Sequence, residues 1–370
     1  MTMIPYLKRL ISGVIMVNTN KKYAILCLLF VLTFSLVFAT ITYIYDPFFH
    51  YHKPYSWVSY NLNYQRYQND GILKHFDYDA IIIGSSMIEN SKSSELDEIF
   101  NVHSVKIPLS GASNKEINNH IETAIKYNDN IKLIIRGLDM HRMDASAENM
   151  RYDYDYYPWY LYDELLYNDV KYVLNKSILF KYIIPTIRKT NLHQLSTTFD
   201  DYSKWYNIRT FSKEELLKNY DRLKQAHEKV DITDVDIKNI NENTTQNVLD
   251  IAKSNPQIDF YVFVPPFSIY FWDSLNQEGT LEKMLDTIDI VFNLLVGQDN
   301  IHLYSFIAEK DIILNADIYK DIYHYNEKVN SLMLNWIKNG YDEINKDNID
   351  KYLKDIRDFF TNYQYDILFE

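Results

Sequence analysis

From residue 78 onward the chain alternates between short apolar runs rich in β-branched residues and longer stretches whose apolar positions recur every three or four residues. DAIIIGSS reads as a buried strand that ends in a glycine turn, and MIENSKSSELDEIF as the helix that follows it. VHSVKIPLSG and IKLIIRGLD repeat the strand pattern, with NKEINNHIETAIKYN as a helix between them. Later, QIDFYVFVPP reads as a fourth strand, GTLEKMLDTIDIVFNLLV as a helix and NIHLYSF as a fifth strand. HYNEKVNSLMLNWIKNG is a closing helix with Gly340 as its stop. Such strands alternating with amphipathic helices predict a three-layer α/β domain: a five-stranded parallel sheet with right-handed crossovers and helices on its faces.

The rhythm stops between residues 142 and 255, where no buried strand is evident. RYDYDYYPWYLYDELLYNDVKYVLNKSILFKYI reads as an aromatic-rich helical insertion. FSKEELLKNYDRLKQAHEKV and ITDVDIKNINENTTQNVLDIAKSN read as amphipathic helices, N-capped by Ser212 and Thr233.

The longest apolar run, YAILCLLFVLTFSLVFATITYIY, carries no charge over residues 23–45. As a helix it would reach about 34 Å, enough for a hydrocarbon core of about 30 Å. Lys8, Arg9, Lys21 and Lys22 precede it and Asp46 follows. The positive-inside rule then predicts a cytoplasmic N-terminus and a main domain outside the cell membrane. A signal peptide cut after Ala39 is the competing reading, but the apolar run continues past that point. The expected organisation is a cytoplasmic N-terminus (1–22), a single transmembrane helix (23–45), a stalk (46–77), the α/β domain (78–340, with the helical insertion at about 142–255) and a helical tail (341–370).

Composition narrows the chemistry. A net charge of -12 argues against nucleic acid as a partner. The single cysteine, Cys27, lies inside the apolar run, so the rest of the chain holds no disulfide and no thiolate metal site. Neither G-x-x-x-x-G-K-[ST] nor G-x-G-x-x-G occurs, which argues against a phosphate-cradling loop. His50 and His52 lack a third ligand at a sensible spacing, and Asp139, His141 and Asp144 form a common chance pattern. Neither metal nor cofactor is implied.

In a sheet of this kind, ligands sit beyond the carboxyl ends of the strands. The residues there are Gly84-Ser85-Ser86, Ser110-Gly111-Ala112, Gly137-Leu138-Asp139 and Pro265-Pro266-Phe267-Ser268, with Asp321 and His324 beyond the fifth strand. Acyl transfer through a serine needs a histidine to take the hydroxyl proton and a carboxylate to hold that histidine. It also needs N–H donors for the oxyanion, each worth about 3 kcal/mol in measured cases. Ser85 or Ser86, with His324 and Asp321, can supply the first set, and the backbone N–H groups of Ser86 and Gly111 are well placed to supply the donors. Each piece alone has an ordinary structural role; their gathering at one sheet edge is what points to chemistry.

That order of blocks resembles the SGNH/GDSL hydrolase superfamily, with a nucleophile after strand one, an oxyanion glycine after strand two, G-x-N after strand three and D-x-x-H near the end. More narrowly, GSSMIEN, SGASNKEIN, IIRGLDMHRMD and DIYHYNEKVN resemble a family of membrane-anchored SGNH-like proteins of Firmicutes. The resemblance implies a flavodoxin-like SGNH domain with Ser86 as nucleophile, His324 as base, Asp321 as its orienter and Gly111 as an oxyanion donor. Ser85 stands where the usual Asp precedes the nucleophile, and Asp139 stands where the superfamily has Asn. An amide there donates to the oxyanion, whereas a carboxylate repels it. The alternatives are Asp139 in protonated form, Asn114 or Arg136. The resemblance further implies a serine esterase or O-acyltransferase acting on a cell-envelope polymer such as teichoic acid. Its partner would be a membrane-bound O-acyltransferase, as in the accessory proteins of teichoic-acid D-alanylation and alginate O-acetylation. The competing function is a scaffold or binding protein with a degenerate site.

Overall fold

The structure, a computed structural model, describes residues 4–369, with side chains described from residue 20. The chain divides into two compact units: Met1–Tyr60 with Trp159–Leu195, and Asn61–Pro158 with Ser196–Glu370.

The larger unit contains the sheet. Its strands are β1 (Ala80–Gly84), β2 (Ser104–Pro108), β3 (Leu133–Gly137), β4 (Asp259–Val264) and β5 (Ile301–Ser305), all parallel, in the order β2-β1-β3-β4-β5. Ile81, Ile82 and Ile83 are buried on both faces of β1, as are Ile134 and Ile135 on β3. Each such side chain contributes roughly 1.5–3 kcal/mol by leaving water, which is why these runs form central strands. The order reverses at β1: the chain leaves it for β2 on one side, then crosses to β3 on the other. Right-handed crossovers put the helix after β1 and the helix after β2 on opposite faces. The carboxyl ends of β1 and β3 therefore flank a topological switch point, where open α/β sheets bind ligands.

Two glycines shape that point. A Cβ on Gly84 would lie 3.1 Å from Ile88 Cγ2 and 3.4 Å from the Gly137 Cα, so β1 and β3 end close together beneath Ile88. Flanking helices include Gln65–His75, Ser93–Phe100 after β1 and Asn114–Tyr127 after β2. The closing helix Glu327–Lys338 packs on Ser93–Phe100. The tail forms the helix Ile349–Asn362, whose Phe360 stacks at 3.7 Å on buried Trp272, so residues 341–369 belong to the α/β unit.

Two helices differ from expectation. The segment after Gly84 first makes a short 3-10 turn, Ser86–Ile88, and becomes α-helical only at Ser93. FSKEELLKNYDRLKQAHEKV is helical over Lys213–Lys218 and irregular beyond it. Beyond the helix the Tyr220 hydroxyl (2.7 Å) and Arg222 Nε (3.0 Å) both donate to the buried Asp273 carboxylate. The second helix is as drawn, from the Thr233 capping box through Asp234–Thr244 to Lys253.

In the smaller unit the helix Ile4–Tyr45 is continuous, and its portion Asn20–Tyr45 is long and apolar enough to cross a membrane. The start of the expected cytoplasmic segment, residues 1–3, lies outside the described residues. At the end of this helix Asp46 is buried with φ 26°, accepting from the Tyr172 hydroxyl (2.7 Å) and from the backbone N–H of His50 (3.0 Å), Tyr51 (2.7 Å) and His52 (3.2 Å). Burial raises its carboxyl above the ordinary range, and these donors hold it partly back.

Asp46 joins segments that the sequence keeps far apart. Residues 46–60 fold with 159–195 around this carboxylate, while the helix Gln65–His75 belongs to the sheet unit, so the stalk assigned to 46–77 is split. The insertion drawn at 142–255 is split as well: only 159–195 joins the unit of the N-terminal apolar helix. His50 and His52 are packed, with His52 Nε2 2.7 Å from the Tyr43 carbonyl oxygen and His50 Nε2 3.2 Å from Asp169 Oδ1.

Candidate active site

Ser86 opens the 3-10 turn directly beyond β1. Its neighbour Ser85 caps that turn, the Ser85 Oγ accepting from the Met87 N–H at 3.3 Å, which leaves the Ser86 side chain uncommitted to the backbone. The Ser86 Oγ lies 2.8 Å from His324 Nε2. On the other side of the ring, His324 Nδ1 lies 2.8 Å from both oxygens of Asp321. Asp321 Oδ1 also accepts from the backbone N–H of Tyr323 (2.9 Å) and His324 (2.8 Å). Burial works to raise the Asp321 carboxyl, but His324 and these donors overcome it and hold the group well below the usual carboxylate range. An ionised, fixed carboxylate keeps the proton on Nδ1 and leaves Nε2 as the acceptor facing Ser86.

A chain separation of 238 residues is bridged by a loop pinned at several points. Lys320 N–H donates to the His324 carbonyl (3.0 Å) and Asn326 N–H to the Ile318 carbonyl (2.9 Å), closing the loop on itself. The Ser268 hydroxyl donates to the Ile322 carbonyl (2.8 Å) and the Tyr319 hydroxyl to the Pro266 carbonyl (2.7 Å), tying the loop to the exit of β4. The Met87 carbonyl, next to Ser86, accepts from Asn330 Nδ2 (2.9 Å) and from the buried Tyr325 hydroxyl (3.3 Å).

A wall of the site comes from a residue that sequence reasoning missed. The Trp205 ring meets His324 edge-on at 5.5 Å, and the Lys320 ammonium lies 4.4 Å from the centre of that indole. The indole N–H donates to Glu89 Oε2 at 2.7 Å, and Asn90 Oδ1 accepts from the Trp205 backbone N–H at 3.1 Å. Buried Glu89 also accepts from Gln65 Nε2 (2.6 Å) and from the Ser110 hydroxyl. The signal was present in GSSMIEN, where an acid falls three residues after Ser86, but its partner lies more than a hundred residues away.

The oxyanion candidates separate into two groups. Gly111 has φ 62°, a left-handed conformation, and among the described residues neither its N–H nor that of Ser86 donates to a protein acceptor. Two guanidinium groups gather at the same turn: Arg142 Nη1 is 3.4 Å from the Gly111 carbonyl oxygen, and Arg151 Nε packs over its Cα face. Asn114 and Arg136, by contrast, are spent on each other. Arg136 is fully buried and donates to Asn114 Oδ1 (3.2 Å) and to the Asn247 carbonyl, while Asn114 Nδ2 meets Met143 Sδ at 2.9 Å. Asp139, two residues beyond Gly137, precedes a 3-10 turn without capping it, and its Oδ1 is buried without a hydrogen-bond partner.

Alongside Tyr323 runs a cleft of about 300 Å³ whose lining includes Met140, His141, Phe271, Glu278 and Lys283. Asp144 and Asp236 both pair with Lys283 (2.9 and 3.0 Å), so Asp144 takes part in an ion pair on the cleft wall.

No protein-family model matches this chain, and no curated protein does. Among solved structures, one from Streptococcus pneumonia, provisionally assigned as a platelet activating factor, is 9% identical over 75% of this chain and 91% of its own, with a TM-score of 0.38. A likeness at that level carries no weight for the chemistry, which rests on the residues themselves.

Proposed function

We propose that this chain is a membrane-tethered serine esterase or O-acyltransferase of the SGNH type, with its α/β unit outside the cell membrane. The observation that carries the reading is the unbroken Ser86–His324–Asp321 hydrogen-bond series, 2.8 Å at each step, at the switch point of the sheet. His324 Nε2 takes the proton of Ser86 as Oγ attacks an ester carbonyl. Asp321 stabilises the imidazolium that forms. The imidazolium then gives its proton to the departing alkoxide, leaving an acyl-serine. Water, or a hydroxyl of a cell-envelope glycan or teichoic acid, releases the acyl group by the reverse proton path. The N–H groups of Ser86 and Gly111 receive the tetrahedral oxyanion, with Arg142 and Arg151 adding positive charge nearby. In a transferase, a membrane-bound O-acyltransferase would load Ser86.

A specific observation favours a second reading, that of a scaffold without catalysis. Asp139 holds a carboxylate where the resemblance calls for an amide donor. The two readings part on acylation. Incubated with p-nitrophenyl acetate, the full chain is expected to release a burst of one p-nitrophenolate per protein and to carry an acetyl mass on the Ser86 peptide. Ser86→Ala is expected to do neither. A folded wild-type chain without burst or adduct would sink the enzyme reading in favour of the scaffold.

A further inference from the structure

The segment Trp159–Leu195 has a composition unlike the rest of the chain. It holds three acids, Asp163, Glu164 and the buried Asp169, against five bases, Lys171, Lys176, Lys181, Arg188 and Lys189, of which the first four are exposed. In a protein of net charge -12 this is a local reversal of sign. The same stretch leaves large apolar side chains in solvent: Leu166 is 79% exposed, Tyr167 78% and Phe180 64%, with Leu165, Val170 and Leu174 beside them in sequence. Exposed apolar groups in such number mark a surface that is covered by something.

What covers it follows from where the segment is attached. The short helices Val170–Val173 and Leu179–Ile183 pack against the helix Ile4–Tyr45. The Thr42 hydroxyl donates to the Val173 carbonyl at 3.4 Å, and Thr42 lies inside the apolar portion Asn20–Tyr45. Tyr172 inserts into the turn after that portion, bonding Asp46 and stacking on Phe48 at 5.6 Å. The segment is thereby fixed beside the last turn of the apolar helix. On the same helix end, exposed Trp57 meets Tyr45 edge-on at 5.8 Å and stacks on Tyr55 at 6.0 Å, an arrangement suited to a membrane–water interface.

We propose that residues 159–195 form an interfacial collar that binds the lipid surface where the membrane helix emerges. Leu166, Tyr167 and Phe180 would enter the acyl boundary, and Lys171, Lys176, Lys181 and Arg188 would meet anionic headgroups. The collar rests on the membrane-tethered reading, since it needs Asn20–Tyr45 to span.

The test uses the full chain reconstituted in phosphatidylglycerol vesicles, with Cys27→Ala as background and one environment-sensitive fluorophore at a time, on Leu166→Cys, Phe180→Cys or Leu32→Cys. Spin labels on lipid acyl chains near the headgroup are expected to quench 166 and 180 at least twofold, while aqueous iodide does not; deep spin labels quench 32. Replacing the three lysines by glutamine is expected to halve the quenching at 166. Quenching at 32 with none at 166 and 180 would overturn the collar and leave the span intact. No quenching at 32 would remove the span and the collar with it. Shielding of 166 and 180 from both lipid and iodide would mean that protein covers this face, and would also overturn the proposal.

Discussion

Asp139 and Ser86 leave the ends of neighbouring strands, β3 and β1, and the Asp139 carboxyl has a buried oxygen with no partner. The resemblance calls for an amide donor at this position, and a carboxylate there has no N–H to offer an oxyanion. Asp139→Asn supplies a donor of the same shape, and a donor to the oxyanion is worth about 3 kcal/mol. The variant is therefore expected to raise kcat for ester cleavage by about a hundredfold with little change in KM, read by steady-state kinetics. A fall in kcat would instead give Asp139 a positive role in the reaction. That Ser86 and His324 could meet was legible in the sequence, because one follows the first strand and the other precedes the helix Glu327–Lys338, and both positions fall at the carboxyl edge of the sheet. The commitment of Arg136 and Asn114 to each other was not legible, since it depends on how the helix around Asn247 packs over β3.

At the scale of elements, the site depends on two devices that join segments distant in sequence. Glu89 and Asn90, on the turn after Ser86, hold the Trp205 loop against His324. Trp205→Ala is expected to lower kcat about tenfold while KM changes little, with Trp205→Phe restoring most of it, because an aromatic edge is what the imidazole meets. Equal loss in both variants would assign the effect to the indole N–H and its bond to Glu89. The second device is Lys106 of β2, fully buried, which donates to the carbonyls of Glu89 (2.7 Å), Ser91 (2.9 Å) and Asp200 (3.3 Å). Burial pushes its ammonium down to about 7, against the pull of the Asp200 and Glu89 carboxylates. Below about pH 7 the native chain carries this charge at a cost. Between there and the ordinary lysine range the unfolded chain binds a proton that the native one does not, so stability rises with pH. Urea midpoints at pH 7 and 9.5 are expected to show a gain of roughly 2–3 kcal/mol in wild type that is absent in Lys106→Met. These devices escaped sequence reading for one reason: an acid or lysine inside a strand–helix unit gives no sign of a partner a hundred residues away.

Across the whole molecule, the parallel sheet was legible because β-branched runs and amphipathic stretches alternate with little ambiguity. The division into units was not. Residues 159–195 carry helical patterning that suits either unit, and their place is decided by Tyr172, which reaches Asp46 across 126 positions. Asp46→Ala would leave that hydroxyl and three backbone N–H groups without their acceptor, at a cost of about 1–3 kcal/mol for each group left buried and unpaired. Limited trypsinolysis of this variant is expected to cut at Lys171, Lys176, Lys181 or Arg188 at least tenfold faster than in wild type. Equal rates would mean that the Asp46 cluster does not hold the segment.

The central claim is that Ser86 is an activated nucleophile. The measurement that meets it most directly is labelling of the full chain, in detergent, with a fluorescent fluorophosphonate. Wild type is expected to label stoichiometrically, and Ser86→Ala and His324→Ala to lose the label while keeping their circular dichroism spectra. A folded wild-type chain that takes no label, or a Ser86→Ala variant that still takes it, would contradict the account.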